Sequence, residues 1–124
     1  MDKIIILFAL FLFSFGLSAQ EITEGIWHTG KDNTKIETYQ KEGGWFGRIV
    51  SSENKKAKIG KDILMGFAKE GNIWKGQLFA AKRDKVLEAT ITPHDNTLEI
   101  TVSAGFFTKN LSWQKEEQNA DAPD

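Results

Sequence analysis

Glycine, asparagine, aspartate and proline cut the chain between residues 22 and 114 into short segments, and no segment keeps a helical period. Eight strand-length pieces result: 22–28, 34–40, 45–50, 63–69, 73–81, 85–92, 97–103 and 106–114. The breaks are turn formers. They include Gly30 to Asn33, Lys41-Glu42-Gly43-Gly44, a polar loop at 51–62, Glu70-Gly71-Asn72, Lys82-Arg83-Asp84, Pro93-His94-Asp95-Asn96 and Gly105. Two pieces alternate cleanly. Leu87, Ala89 and Ile91 oppose Glu88 and Thr90, and Leu98, Ile100 and Val102 oppose Thr97, Glu99 and Thr101. A short turn joins them, so both apolar rows fall on one side of a hairpin that is buried on one face and wet on the other.

A chain of strands with no helix to cover the sheet must stack two sheets or close one. Short turns between sequential strands favour an up-and-down meander, and closure removes its exposed edges. The expected fold is therefore all-β, a single antiparallel up-and-down barrel of about eight strands, with a two-sheet β-sandwich as the alternative. Eight strands enclose an interior wide enough for side chains or one small ligand.

The 124 residues suit one domain. Their 40% hydrophobic content is inflated at the front. Lys3 precedes an apolar run, 4–17, interrupted only by Ser14 and Gly16, and then Ser18, Ala19 and Gln20. That is the layout of a secretory signal peptide, 1–19, cut after Ser18 or Ala19. The run is shorter than the roughly 20 residues that span a bilayer. An exported protein is expected, periplasmic or secreted, with no stable membrane insertion after cleavage. The barrel would occupy 20–115, followed by a disordered acidic tail at 116–124.

Composition excludes several chemistries. Sixteen Lys and Arg against seventeen Asp and Glu leave no global field for a polyanion, so no nucleic-acid partner is expected. The absence of cysteine removes disulfides, thiolate metal sites, thiol catalysis and a lipid-anchored N-terminus. Export without disulfides points to a bacterial envelope.

Gly25-Ile26-Trp27 at the first strand and Trp113-Gln114-Lys115 at the last resemble the lipocalin-like (calycin) barrels. That resemblance implies an indole plug at one barrel end, with Gly25 making room and Lys115 lying over Trp27 beside Trp113. Over nearly the whole barrel, Phe46-Gly47-Arg48-Ile49-Val50, Gly60-x-x-Ile63-Leu64-x-Gly66-Phe67 and Trp74-x-Gly76 are similar to an uncharacterised bacterial exported family, domain of unknown function 2147. It implies a small barrel-like β domain behind a signal peptide. The chain departs from the family at Ser51 to Lys56, which lacks the usual Asn-Pro pair, and at Phe79 to Leu87, which lacks the usual Tyr-Asp-Pro. The resemblance thus supports the fold more than any shared activity.

No catalytic constellation stands out, so no enzyme activity is expected. His28 and His94 are far apart and have no second ligand type at metal spacing, so neither a metal nor a cofactor is expected. Glu88 and Glu99 oppose their apolar rows and Glu37 lies mid-strand, which gives no acid pair inside a cleft. Lysines cluster at Lys55, Lys56, Lys58 and Lys61 and at Lys82, Arg83 and Lys85. Such patches can touch anionic headgroups or polysaccharide, or simply aid solubility. Arg48 lies among apolar neighbours, either as a site residue or as a stem covering an aromatic.

Four tryptophans on four strands, Trp27, Trp45, Trp74 and Trp113, carry most of the apolar area. They either line a pocket or fill the interior. The expected function is binding of a small apolar or amphipathic ligand near the barrel mouth by Tyr39, Trp45, Arg48 and Trp74, in a monomer. The alternative is a ligand-free envelope interaction or stress-accessory protein acting through its surface.

Overall fold

The computed structural model describes residues 21–117. The expected leader at 1–19 and the tail beyond residue 117 lie outside them. Eight strands and no helix appear among the described residues: β1 (Gly25–His28), β2 (Lys35–Lys41), β3 (Gly44–Ser51), β4 (Asp62–Glu70), β5 (Ile73–Ala80), β6 (Lys85–His94), β7 (Thr97–Ala104) and β8 (Phe107–Lys115). Each strand pairs antiparallel with the next, and β8 returns to β1. The sheet is a closed up-and-down barrel, not a sandwich.

Alternation sets what faces inward. Ile91 pairs with Ile100 and Ala89 with Val102, and all four are buried. Glu88 and Glu99, one residue out of phase, are exposed. Two boundaries differ from the sequence reading. Pro93 and His94, expected in a turn, belong to β6, where Pro93 pairs with Leu98 and is fully buried. The hairpin thereby tightens to Asp95-Asn96, and proline near a strand end forfeits at most one ladder bond. Residues 22–24, expected in the first strand, are not strand.

That leading segment closes one end of the barrel. Glu21 is ion-paired with Lys69 of β4 at 2.6 Å, whereas Gly25 is already paired with Thr38 of β2. Between them Ile22 is buried in the core, and the Thr23 carbonyl accepts from Thr38 Oγ1 at 2.8 Å. The turns β2–β3, β4–β5 and β6–β7 lie at this closed end. The first is Glu42-Gly43, with φ of +54° and +82°, the left-handed pair that matches hairpin twist.

The other four connections, 29–34, 52–61, 81–84 and 105–106, lie at the opposite end. The long one is folded, not loose. Its Glu53 amide donates to the Asp32 carbonyl at 2.8 Å, Thr34 and Ser52 hydroxyls meet at 2.7 Å, and the Gly60 amide returns to the Ile49 carbonyl at 2.7 Å. The core runs unbroken from Ile22 to Trp113, so residues 21–117 carry their own hydrophobic interior.

Candidate functional site

The indole of Trp27 is 1% exposed, and its Nε1 donates to Thr38 Oγ1 at 2.9 Å. Trp27 is paired with Lys115 across the β1–β8 seam, and the Lys115 ammonium lies 5.8 Å from the ring centre. The same ammonium bonds Thr23 Oγ1 at 3.1 Å. A Cβ at Gly25 would stand 2.8 Å from Lys115 Cε, so glycine leaves the passage that the lysine stem occupies. Trp113 is buried one inward step nearer the opposite end. Glu116, placed at the start of the tail by the sequence, is instead held to the barrel. Its amide donates to the Ile26 carbonyl, and its carboxylate contacts His28 and Lys35. Lys35, and less so His28, holds that carboxyl below the usual carboxylate range.

The barrel wall divides the four residues expected at a ligand site. Trp45 and Trp74 point inward and belong to the core. The Trp74 Nε1 is buried with no partner among the described residues. Tyr39 and Arg48 stand on the outer face. There Arg48 bridges to Glu37 at 2.9 Å, directly across the β2–β3 ladder, and its guanidinium lies 4.3 Å from the centre of the Tyr39 ring. The phase of β3 is thereby settled: Trp45, Gly47 and Ile49 are buried, and Arg48 is the stem that covers an aromatic.

Tyr39 also donates to Asp62 Oδ1 at 2.6 Å. That hydrogen bond first, then partial burial and the carboxylate charge, raise the phenol above its ordinary value, while Arg48 opposes the shift. The chain has one tyrosine, so its ultraviolet titration reads this group alone. The midpoint is expected above about 10, moving back toward about 10 in Asp62→Ala. Because the folded value is the raised one, the linked stability is complete below the unfolded value. It is lost as pH climbs through the folded value. Equal midpoints in the two proteins would contradict the assignment.

The end opposite the Ile22 closure is a mouth. Two adjoining recesses open there, of about 350 and 560 Å³, sharing Ile49, Ala57, Ile63 and Phe79. The smaller reaches down to Ile36 and Trp113. Ile63 lies where the β3–β4 register shifts: Gly47 pairs with Leu64 and Arg48 with Asp62, leaving Ile63 as the extra residue of a bulge. Lys56 and Lys82 edge both recesses, with Lys31 on the smaller and Lys58 and Lys61 on the larger.

Charge gathers at this rim. Lys82 lies close enough to Lys31 to hold the Lys31 ammonium below its ordinary value, with desolvation adding to the effect and Asp32 opposing it. Lys61 lies 4.3 Å from the centre of the Phe79 ring. Asp32 shares the rim, but Asn54 Nδ2 occupies its Oδ2 at 3.3 Å. The arrangement offers an apolar floor beneath ammonium groups, the chemistry that retains an alkyl chain with an anionic head.

Sequence reading missed most of this mouth. It singled out Lys56, Lys58, Lys61 and Lys82 as surface clusters, and Trp113 both as part of the plug and as one of four tryptophans that line a pocket or fill the interior. Ile49, Ile63 and Phe79 stood out only as parts of segments compared with the family, and Ile36 and Lys31 carried no site role. The usable signal was topological, because in a meander alternate connections meet at one end. Among the described residues, no three His, Asp or Glu side chains converge as metal ligands would.

A family model described as "Uncharacterized protein conserved in bacteria (DUF2147)" matches residues 25–115. The closed eight-strand barrel fits the lipocalin-like expectation. No curated protein matches, and no solved structure matches.

Proposed function

We propose, for a chain that belongs to the uncharacterized bacterial family DUF2147, that the barrel binds a small amphipathic molecule with an anionic head, seated in its mouth. One observation carries the reading: a single recess is lined by the apolar Ile36, Ile49 and Trp113 and by the ammonium-bearing Lys31, Lys56 and Lys82. The signal-peptide layout of the sequence at 1–19 supports action outside the cytoplasm, in the envelope or beyond it.

Ammonium groups that share one recess repel, and an anion seated among them offsets that repulsion. An alkyl chain of the guest covers the apolar floor, worth about 25 cal/mol per Å² removed from water. The volume suits a modest ligand rather than a bulky one. The deeper interior is filled by Trp27, Trp45, Trp74 and Phe67.

Tryptophan fluorescence tests this directly, because Trp113 is the indole on the recess. Laurate is expected to give a saturable change. Dodecanol and a dodecyl ammonium salt are expected to bind at least about ten-fold more weakly, since each charge-assisted contact is worth about 1.5–3 kcal/mol. Lys31→Gln/Lys82→Gln should remove that preference. Trp113→Phe should silence the signal while calorimetry still detects binding. Binding should also weaken at high pH. The anion raises the depressed Lys31 value, so affinity falls as pH rises through the Lys31 titration of the free protein. Equal affinities for the three head groups, or no saturation with any of them, would overturn the reading.

A further inference from the structure

We infer that the mouth end of the barrel docks on an anionic lipid surface, with Phe106 as the side chain that enters the headgroup layer. Among the described residues four large apolar side chains are exposed: Ile59, Val86, Phe106 and Phe107. All four stand at this one end. Ile59 and Phe106 lie in its connections, and Val86 and Phe107 are at the starts of the strands that leave it. Phe106 is fully exposed at the tip of the two-residue β7–β8 turn.

The surrounding charge is complementary to such a surface. The four connections at the mouth end carry seven cations, Lys31, Lys55, Lys56, Lys58, Lys61, Lys82 and Arg83, against three carboxylates, Asp32, Glu53 and Asp84. At the other end the three turns and residues 21–24 carry Glu21, Glu24, Glu42 and Asp95 and no cation. Arg83 lies 5.2 Å from the Phe107 ring centre, so cation and aromatic present a joint surface. A nearly neutral protein with its charge separated this way turns its mouth toward a negative plane.

The phenylalanines select the partner. A soluble polyanion uses the cations but has nowhere to place a projecting ring. A bilayer interface supplies both a negative potential and an apolar layer a few ångströms deeper. Docking does not depend on the ligand reading, although a mouth facing the bilayer would suit a guest that arrives from it.

Vesicle sedimentation tests the inference on the chain from Gln20 onward, which retains every strand and core residue and removes the apolar leader as a confounding anchor. Binding is expected to phosphatidylcholine vesicles holding about a third phosphatidylglycerol, and not to phosphatidylcholine alone. It should weaken as salt rises from about 0.05 to about 0.5 M, as the Debye length shortens. Phe106→Ser should lower the partition coefficient about ten-fold or more, the cost of losing one buried aromatic side chain. Its melting temperature and laurate titration should stay unchanged, which separates failure of docking from failure of the ligand reading. Equal binding to both vesicle types would overturn the inference. So would undiminished binding of Phe106→Ser, or binding to heparin that outcompetes the vesicles and ignores Phe106→Ser, which would assign the cations to a soluble polyanion.

Discussion

Trp27→Ala is expected to destabilise the barrel by about 3–5 kcal/mol, the range for emptying a buried large aromatic site. For a domain of this size that is a fall in Tm of very roughly 15–30 °C. The loss has separable parts. The indole is 1% exposed, so its whole area returns to water or leaves a cavity. Its Nε1 bond to Thr38 Oγ1 is removed, leaving a buried hydroxyl that still donates to the Thr23 carbonyl. Lys115 loses the ring beneath it, and with it one of the ties across the β1–β8 seam. That seam registers through only Trp27–Lys115 and His28–Gln114, so closure leans on few ladder positions. Trp27→Phe keeps most of the area and loses the hydrogen bond. It should cost about 1–2 kcal/mol more than area alone accounts for. A melting temperature unchanged by Trp27→Ala would refute the role assigned to the indole.

The second large effect is expected at Gly76. This residue faces inward between Trp74 and Leu78, where a side chain would be ordinary. Phe67, with no exposed surface, fills that place instead. A Cβ on Gly76 would stand 2.6 Å from Phe67 Cγ and 2.9 Å from the Met65 carbonyl oxygen. The ring cannot withdraw without opening the core, and the carbonyl is backbone. Gly76→Ala should therefore cost about 3 kcal/mol, the upper part of the usual overpacking range. Phe67→Leu in the same chain should recover part of that loss, because the two positions share one volume. Chemical denaturation of the four proteins in the cycle measures the coupling. Strict additivity would show that Gly76 is needed for another reason.

These two sites explain which parts of the sequence were legible. Strand number and order followed from period-2 rows such as Leu98, Ile100 and Val102 and from turn residues between them, because both signals are local, whereas closure rests on the distant β1–β8 pairing and a sandwich stayed open until that pairing was in view. The motif Trp74-x-Gly76 was visible as a pattern. Its cause, a phenylalanine ring from β4 lying over the glycine, was not, since it depends on the Gly66 bulge and the β4–β5 register. Pro93 and His94 were misplaced because their dipeptide is a turn former locally, and the tighter Asp95-Asn96 hairpin overrides it.

The candidate site was less legible. Alternation alone leaves the phase of a strand open when both faces are apolar, as in Trp45 to Val50. Arg48 could not be assigned to a wall face until its cross-strand partner Glu37 was in view. The lysines of the mouth are spread over three connections, from Lys31 to Lys82, and only the meander brings them to one rim. The same topology places Ile36 and Ile49 beneath them.

Amide correlation spectra of the isotopically labelled protein during a laurate titration test the mouth most directly. Ligand in the mouth predicts the largest and saturable shifts at Lys31, Ile36, Ile49, Ala57, Lys82 and Trp113, with Tyr39 left unmoved, as well as the separate recess beside the β1–β8 seam that Glu24, Ile26, Glu37 and Glu117 line. Shifts concentrated at that seam recess, or a uniform drift without saturation, would contradict it.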